Sequence, residues 1–156
     1  MFPFLVDSKL DVNLFESEDI CAHLLANYGD NVNSLPSPSG YFYPSTIVTG
    51  WAPAIFRLGR GAEVEPRVAS RPTPGELLRL YSYEGNQFCR LVREALCELD
   101  LPYELRSTGK GSARRAELCD VRGDGKTTAP FLVDPNTNVS MGESADIVRY
   151  LWSTYG

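Results

Sequence analysis

The residues best placed to bind a ligand lie near the end of the sequence, where Glu143 and Ser144 open a predicted helix. Apolar residues recur at helical spacing after Ser144, and this spacing predicts the helix. The first N–H groups of a helix have no partner within the helix and carry the positive end of its dipole. Such a helix start is a ready anion site. The alternative is that Ser144 serves only as the helix N-cap.

The cysteines show no pattern that would do chemistry. Cys21, Cys89, Cys97 and Cys119 form no Cys-x-x-Cys pair, and their spacing to the single histidine, His23, does not suit a metal. Cys89 and Cys97 lie on one predicted helix, about 12 Å apart at 1.5 Å rise per residue, so they cannot form a disulfide. We expect reduced thiols in a reducing compartment and no metal site.

An internal repeat organises the chain. Residues 3–29 align without gaps with residues 130–156, and 13 of the 27 positions are identical. Both copies begin with Pro-Phe-Leu-Val-Asp, and both carry Glu-Ser directly before a helical pattern. The repeat predicts a β-hairpin followed by a helix in each copy. The expected core faces are Ile20, Leu24 and Tyr28 in the first helix, and Ile147, Tyr150, Leu151 and Tyr155 in the second.

The second copy is preceded by the remainder of a domain. A strand pattern starts at residue 77, a second strand is predicted at 102–106, and a short helix is predicted at 113–121. The helix between the two strands starts near Asn86, and its apolar stripe is Phe88, Val92, Ala95, Leu96 and Leu99. Residues 77–156 therefore follow the order βαβαββα. Residues 1–29 form a ββα half module, and the Pro/Gly-rich residues 30–76 form a linker.

Composition excludes some function classes. Of the 156 residues, 43% are hydrophobic and 22% are charged, which is the balance of a globular protein. The net charge of -5 argues against nucleic-acid binding, because phosphate contacts need clustered Lys and Arg. The apolar runs are too short for a transmembrane segment.

The order βαβαββα resembles the thioredoxin-like fold, and its details resemble the N-terminal domain of glutathione transferases and the related glutaredoxins. This resemblance implies an α/β domain with a four-stranded mixed sheet flanked by helices, preceded here by the ββα half module. It implies a cis peptide bond at Pro130, with the backbone of Ala129 contacting the cysteinyl part of glutathione. It also implies that Ser144 holds the γ-glutamyl carboxylate and that Glu143 faces the amino group.

One position departs from the redox members of that family. They place a reactive cysteine at the start of the first helix, in the motif Cys-Pro-Phe/Tyr-Cys, where the helix dipole lowers the thiol pKa. The matching residues here are Asn86, Gln87, Phe88 and Cys89, so only the second cysteine is present. We therefore expect little dithiol oxidoreductase activity, with Asn86 and Cys89 as a degenerate catalytic pair. Asn86 has an evident structural role as an N-cap.

Two function classes follow. The first is a non-catalytic binding module that acts as a subunit or assembly factor of a larger complex. The alternative is a glutathione-binding transferase or thiol oxidoreductase that uses Ala129, Pro130, Glu143 and Ser144. Protein partners would bind the aromatic segment 41–58 or the half module 1–29. The aromatic segment could instead lie against its own domain.

The half module raises a question of completeness. Two strands and one helix leave a sheet edge and a helix face uncovered. We expect either that the natural chain extends upstream of Met1, which we favour, or that residues 1–29 dock elsewhere. The tandem organisation resembles thioredoxin-like proteins of photosynthetic organisms, which indicates a plastid, with the cytoplasm as the alternative.

Overall fold

The computed structural model describes residues 3–29, 52, 55–68 and 73–156. The chain divides into two compact units, Met1–Thr49 and Gly50–Gly156, which we call the N-terminal unit and the C-terminal unit. Most of the aromatic segment 41–58 and the first half of the predicted linker lie outside the described residues.

The N-terminal unit contains the predicted ββα arrangement. Strands β1 (Phe4–Asp7) and β2 (Val12–Phe15) pair antiparallel, and helix α1 (Ser17–Tyr28) follows. The Asp7 carboxylate ties them together, because it accepts hydrogen bonds from His23 Nε2 at 2.8 Å and from the Tyr28 hydroxyl at 2.7 Å. The hydrogen bond from His23 has the largest effect and, together with that from Tyr28, lowers the pKa of Asp7 to about 2.

The C-terminal unit begins with a parallel strand pair. Its first strand, β3 (Leu78–Ser82), is followed by helix α2 (Gln87–Glu98), strand β4 (Tyr103–Ser107) and helix α3 (Arg114–Arg122). Strand β3 pairs parallel with β4, as the intervening helix requires.

The second copy of the repeat completes this unit with strands β5 (Phe131–Asp134) and β6 (Val139–Gly142) and helix α4 (Ser144–Tyr155). Strand β5 pairs antiparallel with both β3 and β6, so the sheet order is β4-β3-β5-β6. The predicted fold class, a thioredoxin-like α/β domain with a mixed four-stranded sheet, is confirmed.

Both faces of this sheet are covered. On one face, strand residues Leu80 and Leu132 pack with helices α2 and α4. On the other face, Tyr81 and Phe131 pack with Leu118 of α3. The alternation follows from the two-residue period of a strand. In the apolar stripe predicted for α2, Val92, Ala95, Leu96 and Leu99 are buried, whereas Phe88 is 51% exposed.

The two helices of the repeat differ in burial. In α4, Ile147 and Leu151 of the predicted core face are fully buried. In α1 no residue is buried, and Leu24 and Tyr28 of the predicted core face are 40% and 47% exposed. The face of α1 that carries Ile20, Leu24 and Tyr28 is therefore only partly covered by the residues that the structure describes.

Residues 55–68, which fall within the predicted linker, pack against α2. Arg60 donates to Glu98 at 2.5 and 2.7 Å, and the Glu65 amide donates to the Glu98 carbonyl at 2.8 Å. Val68 is 7% exposed and belongs to the main core. By contrast, Phe56 and Leu58 of the aromatic segment are 86% and 92% exposed.

Candidate functional site

Helix α2 begins at a side-chain cap. Asn86 lies at the N-cap with extended backbone angles, and its Oδ1 accepts from the amides of Phe88 at 2.8 Å and Cys89 at 3.2 Å. The predicted N-cap role of Asn86 is thus confirmed. Its Nδ2 donates to the carbonyl of Ala129 at 3.2 Å. Asn86 therefore links the start of α2 to the turn that precedes β5.

Cys89 lies on the first turn of α2, with its side chain inside the domain and fully buried. A thiol without exposed surface is not available for attack on a disulfide, whereas reactive cysteines are partly exposed and lie in positive surroundings. The cysteines at 21, 89, 97 and 119 are all free thiols. A thiol at the start of α2 would have its pKa lowered by the helix dipole, but this position carries the amide side chain of Asn86.

The turn before β5 contains Ala129 and Pro130. The Ala129–Pro130 peptide bond is cis, Pro130 is buried and Ala129 is half-buried. Arginines of α3 hold the residues leading into this turn, because Arg115 donates to the Thr127 carbonyl at 3.2 Å and Arg122 donates to the Thr128 carbonyl at 3.3 Å. Ala129 therefore lies in a turn that these hydrogen bonds hold in place.

Helix α4 starts beside this turn. Phe131 pairs with Gly142 across β5 and β6, so Pro130 and Glu143 are adjacent at the same end of the two strands. Glu143 is the single residue between β6 and α4, and its φ of 65° and ψ of 116° lie outside the common regions of the backbone map. No side chain caps the helix at this position. The alternative prediction that Ser144 is the N-cap is wrong, because Ser144 is already the first helical residue.

The start of α4 has free donors. The first intrahelical bond runs from the Ile147 amide to the Glu143 carbonyl at 3.0 Å. The amides of residues 144–146 therefore have no acceptor within the helix, which is the general property of a helix start. Ser144 is half-buried and Glu143 is exposed.

A cation that the residue pattern does not predict also lies at this site. The guanidinium of Arg122 stacks 4.8 Å above the ring of Phe131 and is held by Asp124 at 2.8 and 3.0 Å. A Cβ atom on Gly142 would come within 3.0 Å of Arg122 Nη1, so the arginine fills the space above that glycine. Asp124 and, more weakly, Glu143 raise the pKa of Arg122.

The structure therefore brings together Asn86, Ala129, Pro130, Glu143 and Ser144 at one end of the sheet, with Cys89 buried behind Asn86. Weak signals for Arg122 are its place in the last turn of a helix and the Gly123 that ends this helix in the left-handed conformation. Within the described ranges, no group of three or more His, Cys, Asp or Glu side chains is arranged to hold a metal ion.

Among the same described ranges, no helix is both long enough and apolar enough to cross a membrane.

Comparison with known proteins gives one family. Residues 80–156 match the model of the glutathione S-transferase N-terminal domain. No curated protein sequence matches the chain significantly.

Part of the chain also resembles the solved structures of several insect transferases. A diazinon-metabolizing glutathione S-transferase of the silkworm Bombyx mori is 25% identical, with 51% of this chain and 39% of that chain covered and a TM-score of 0.44. A second Bombyx mori glutathione transferase is 24% identical, with 55% and 39% covered and a TM-score of 0.47.

A delta-class glutathione transferase of Nilaparvata lugens is 25% identical, with 51% and 36% covered and a TM-score of 0.44. The matches thus cover well under half of each transferase. With TM-scores this low, these likenesses add nothing to the family match.

Proposed function

We propose that residues 80–156, a thioredoxin-like domain of the glutathione S-transferase N-terminal type, form a glutathione-binding module without thiol–disulfide activity. In this proposal the backbone of Ala129 pairs with the cysteinyl part of glutathione. Ser144 and the amides at the start of α4 hold the γ-glutamyl carboxylate, while Glu143 faces the amino group. The single observation that carries the proposal is the capping of α2 by Asn86 directly beside Ala129.

Binding is supported by the arrangement of charge and donors. Free helical amides favour a carboxylate by dipole and hydrogen bond together. The Glu143 carboxylate suits an ammonium group, and the Arg122 guanidinium adds a fixed positive charge nearby. Glutathione carries two carboxylates and one ammonium group, so both signs of charge at the site find a counterpart.

The absence of redox activity is supported by the start of α2. A dithiol cycle needs an exposed attacking thiolate and a second thiol within reach. Asn86 has no thiol, and its Oδ1 accepts two amide hydrogen bonds that a thiolate would otherwise accept. Cys89 is fully buried. Bound glutathione would thus meet an amide rather than a nucleophile.

In the chain as a whole, such a module would act as a subunit or assembly factor of a larger complex. The exposed Phe56 and Leu58 of the aromatic segment support a role in contacts with another protein. We place this role in a plastid, and that part of the proposal rests only on the resemblance to tandem proteins of photosynthetic organisms. Import of the tagged full-length protein into isolated plastids tests it.

A second candidate function is that of a glutathione transferase, and one observation favours it. A groove of about 580 Å³ lies at the start of α2 in the C-terminal unit, next to Asn86. Phe56, Phe88 and Leu91 give it an apolar lining. An apolar electrophile in this groove would lie near the sulfur of glutathione bound at Ala129, and Asn86 could then donate a hydrogen bond to the thiolate.

Calorimetric titration of reduced glutathione into the full chain tests the proposed site. Ser144→Ala and Glu143→Ala each remove a hydrogen bond to a charged group, which contributes roughly 1.5–3 kcal/mol. We therefore expect affinity to fall about tenfold to a hundredfold in each variant. Ser153→Ala is the matched control, because Ser153 lies in the last turn of the same helix and donates to the Tyr150 carbonyl.

The outcomes separate the two functions. Unchanged affinity in both site variants would rule out the proposed binding mode. Suppose that the wild-type protein conjugates glutathione to an aromatic electrophile and that Asn86→Ala loses this activity. The protein would then be a glutathione transferase and not a non-catalytic binding module. Reduction of a glutathione mixed disulfide at glutaredoxin-like rates would refute the absence of redox activity.

A further inference from the structure

Arg122, the last residue of helix α3, contacts both halves of the candidate site. Its side chain is only 10% exposed, and Nη1 donates to the Thr128 carbonyl at 3.3 Å, next to Ala129 in the turn. A Cβ atom added to Gly142, at the end of β6 and next to Glu143, would lie 3.0 Å from the same Nη1 atom. One guanidinium therefore contacts the turn before β5 and the strand end that leads into α4.

The guanidinium is held in this position from two other sides. Asp124 accepts hydrogen bonds from Nε at 3.0 Å and from Nη2 at 2.8 Å, and the ring of Phe131 lies 4.8 Å from the guanidinium carbon. A guanidinium is planar and donates in fixed directions, so paired contacts of this kind define its orientation. All three of its nitrogens thus donate within the protein.

In the first copy of the repeat an aromatic ring takes the place of this cation. Phe4 occupies the position of Phe131, and it stacks on Phe15 with ring centroids 4.4 Å apart. Phe15 in turn occupies the position of Gly142, where the glycine leaves room for the guanidinium. A nearly buried charge costs desolvation free energy that an aromatic pair does not. Packing of the Phe131 ring alone therefore does not account for the arginine.

We propose that Arg122 is a positioning residue that sets the turn at Ala129 relative to the helix start at Ser144, and thereby the affinity for glutathione. Its effect on affinity rests on the proposed function, in which glutathione contacts both segments. A ligand that meets two segments at once binds only as well as their relative position allows. Arg122 fixes that position from outside the ligand, through the Thr128 carbonyl and the space above Gly142.

Calorimetric titration of the full chain with reduced glutathione and with γ-glutamylcysteine tests this role. γ-Glutamylcysteine lacks the glycine carboxylate but keeps the γ-glutamyl and cysteinyl parts. We expect Arg122→Ala to weaken binding of both peptides about tenfold, which is a usual size of coupling between contacting residues. Arg122→Lys keeps the charge but loses the planar group, so it should bind as weakly as Arg122→Ala. Arg114→Ala is the control, because it removes the same charge from the exposed start of the same helix.

Gly142 gives a second test of where the guanidinium lies. In Gly142→Ala the new Cβ atom would come within 3.0 Å of Arg122 Nη1, so the arginine has to shift. Gly142 does not have a positive φ, so alanine adds no backbone strain of its own. The substitution should therefore weaken binding in the wild type and have no further effect in an Arg122→Ala background. Urea unfolding is the parallel measurement, because a purely structural role would lower the unfolding midpoint and leave the affinity of the folded chain unchanged.

Any of four results would overturn the proposal. Wild-type affinity in Arg122→Ala would mean that the residue has no part in binding. Recovery of affinity in Arg122→Lys would mean that charge alone is sufficient. A loss confined to glutathione, with γ-glutamylcysteine unaffected, would mean that Arg122 binds the glycine carboxylate directly. Equal effects of Gly142→Ala in both backgrounds would mean that the guanidinium does not act through this strand end.

A ligand-free measurement separates this role from the proposed function. Arg115 is the matched residue, because it donates from the same helix to the Thr127 carbonyl of the turn. In amide NMR spectra, Arg122→Ala should shift the resonances of both 128–129 and 142–144, whereas Arg115→Ala should shift those of the turn. If the wild type bound neither peptide, the proposed function would fall, and shifts of both segments would still support the positioning role. Shifts confined to the turn in Arg122→Ala would overturn it. If Ser144→Ala lost glutathione and Arg122→Ala kept it, the proposed function would stand without this role.

Discussion

Replacement of Asn86 by alanine should destabilise the C-terminal unit by about 2 kcal/mol. Loss of a side-chain N-cap costs about 1 kcal/mol. Loss of the hydrogen bond from Nδ2 to the Ala129 carbonyl adds about 1 kcal/mol. Asn86→Ser separates the two contributions, because its hydroxyl keeps the cap while the bond to Ala129 is lost. We therefore expect Asn86→Ser to be about 1 kcal/mol less stable than the wild type.

The assay is urea unfolding followed by the fluorescence of Trp152, which lies in α4, in a Trp51→Phe background. With a slope of roughly 1–2 kcal/mol/M, the unfolding midpoint of Asn86→Ala should fall by about 1–2 M at unchanged slope. Gln87→Ala is the control, since Gln87 is exposed and should shift stability by less than about 0.5 kcal/mol.

Two results would refute this reasoning. If Asn86→Ala were within about 0.3 kcal/mol of the wild type, the cap and the link to Ala129 would contribute nothing to stability. If Asn86→Ser were as unstable as Asn86→Ala, the bond to the Ala129 carbonyl would account for the whole loss and the cap for none of it. The stability of the site would then depend on the hydrogen bond to the turn and not on the cap of the helix.

Two further predictions concern thiol chemistry and pH. Asn86→Cys should introduce glutathione-dependent reduction of a mixed disulfide, because a thiol at a helix start has a lowered pKa, and Asn86→Ser, tested by the same assay, should not. Because the pKa of Asp7 is depressed to about 2 in the folded state, its stabilisation of the N-terminal unit is present above the unfolded value of about 4 and is lost as pH falls from about 4 to about 2. The stability difference between wild type and Asp7→Asn, measured by amide exchange in α1, should therefore disappear near the lower limit, and a difference that persisted there would contradict the assignment.

The sequence predicts those features that depend on local patterns. The order βαβαββα follows from apolar periodicity, and the N-cap at Asn86 follows from its residue type before an apolar stripe. The meeting of Ala129 and Glu143 at one end of the sheet follows from the hairpin between β5 and β6. In each case the contacts lie within one or two neighbouring elements, so the spacing of residues specifies them.

The features that periodicity does not predict depend on packing against elements that are distant in the sequence. Leu24 and Leu151 occupy equivalent positions of the repeat, yet Leu24 is 40% exposed and Leu151 is fully buried. The apolar stripe of α2 includes Phe88, yet this ring remains half exposed. The sequence does not predict that Arg122 lies at the site, because the contact of its guanidinium with the Phe131 ring depends on how α3 packs on the sheet.

The N-terminal unit also serves as an internal control for the candidate site. Glu16 and Glu143 adopt nearly the same unusual backbone conformation, with ψ of 123° and 116°, although their surroundings differ. Each is the single residue that connects a strand to a helix, so the conformation arises from this short connection and not from ligand binding. Backbone strain at Glu143 therefore does not by itself indicate a binding site. What distinguishes Glu143 is its proximity to Arg122 and Ala129, two residues that precede the repeated segment and have no counterpart among the described residues of the N-terminal unit.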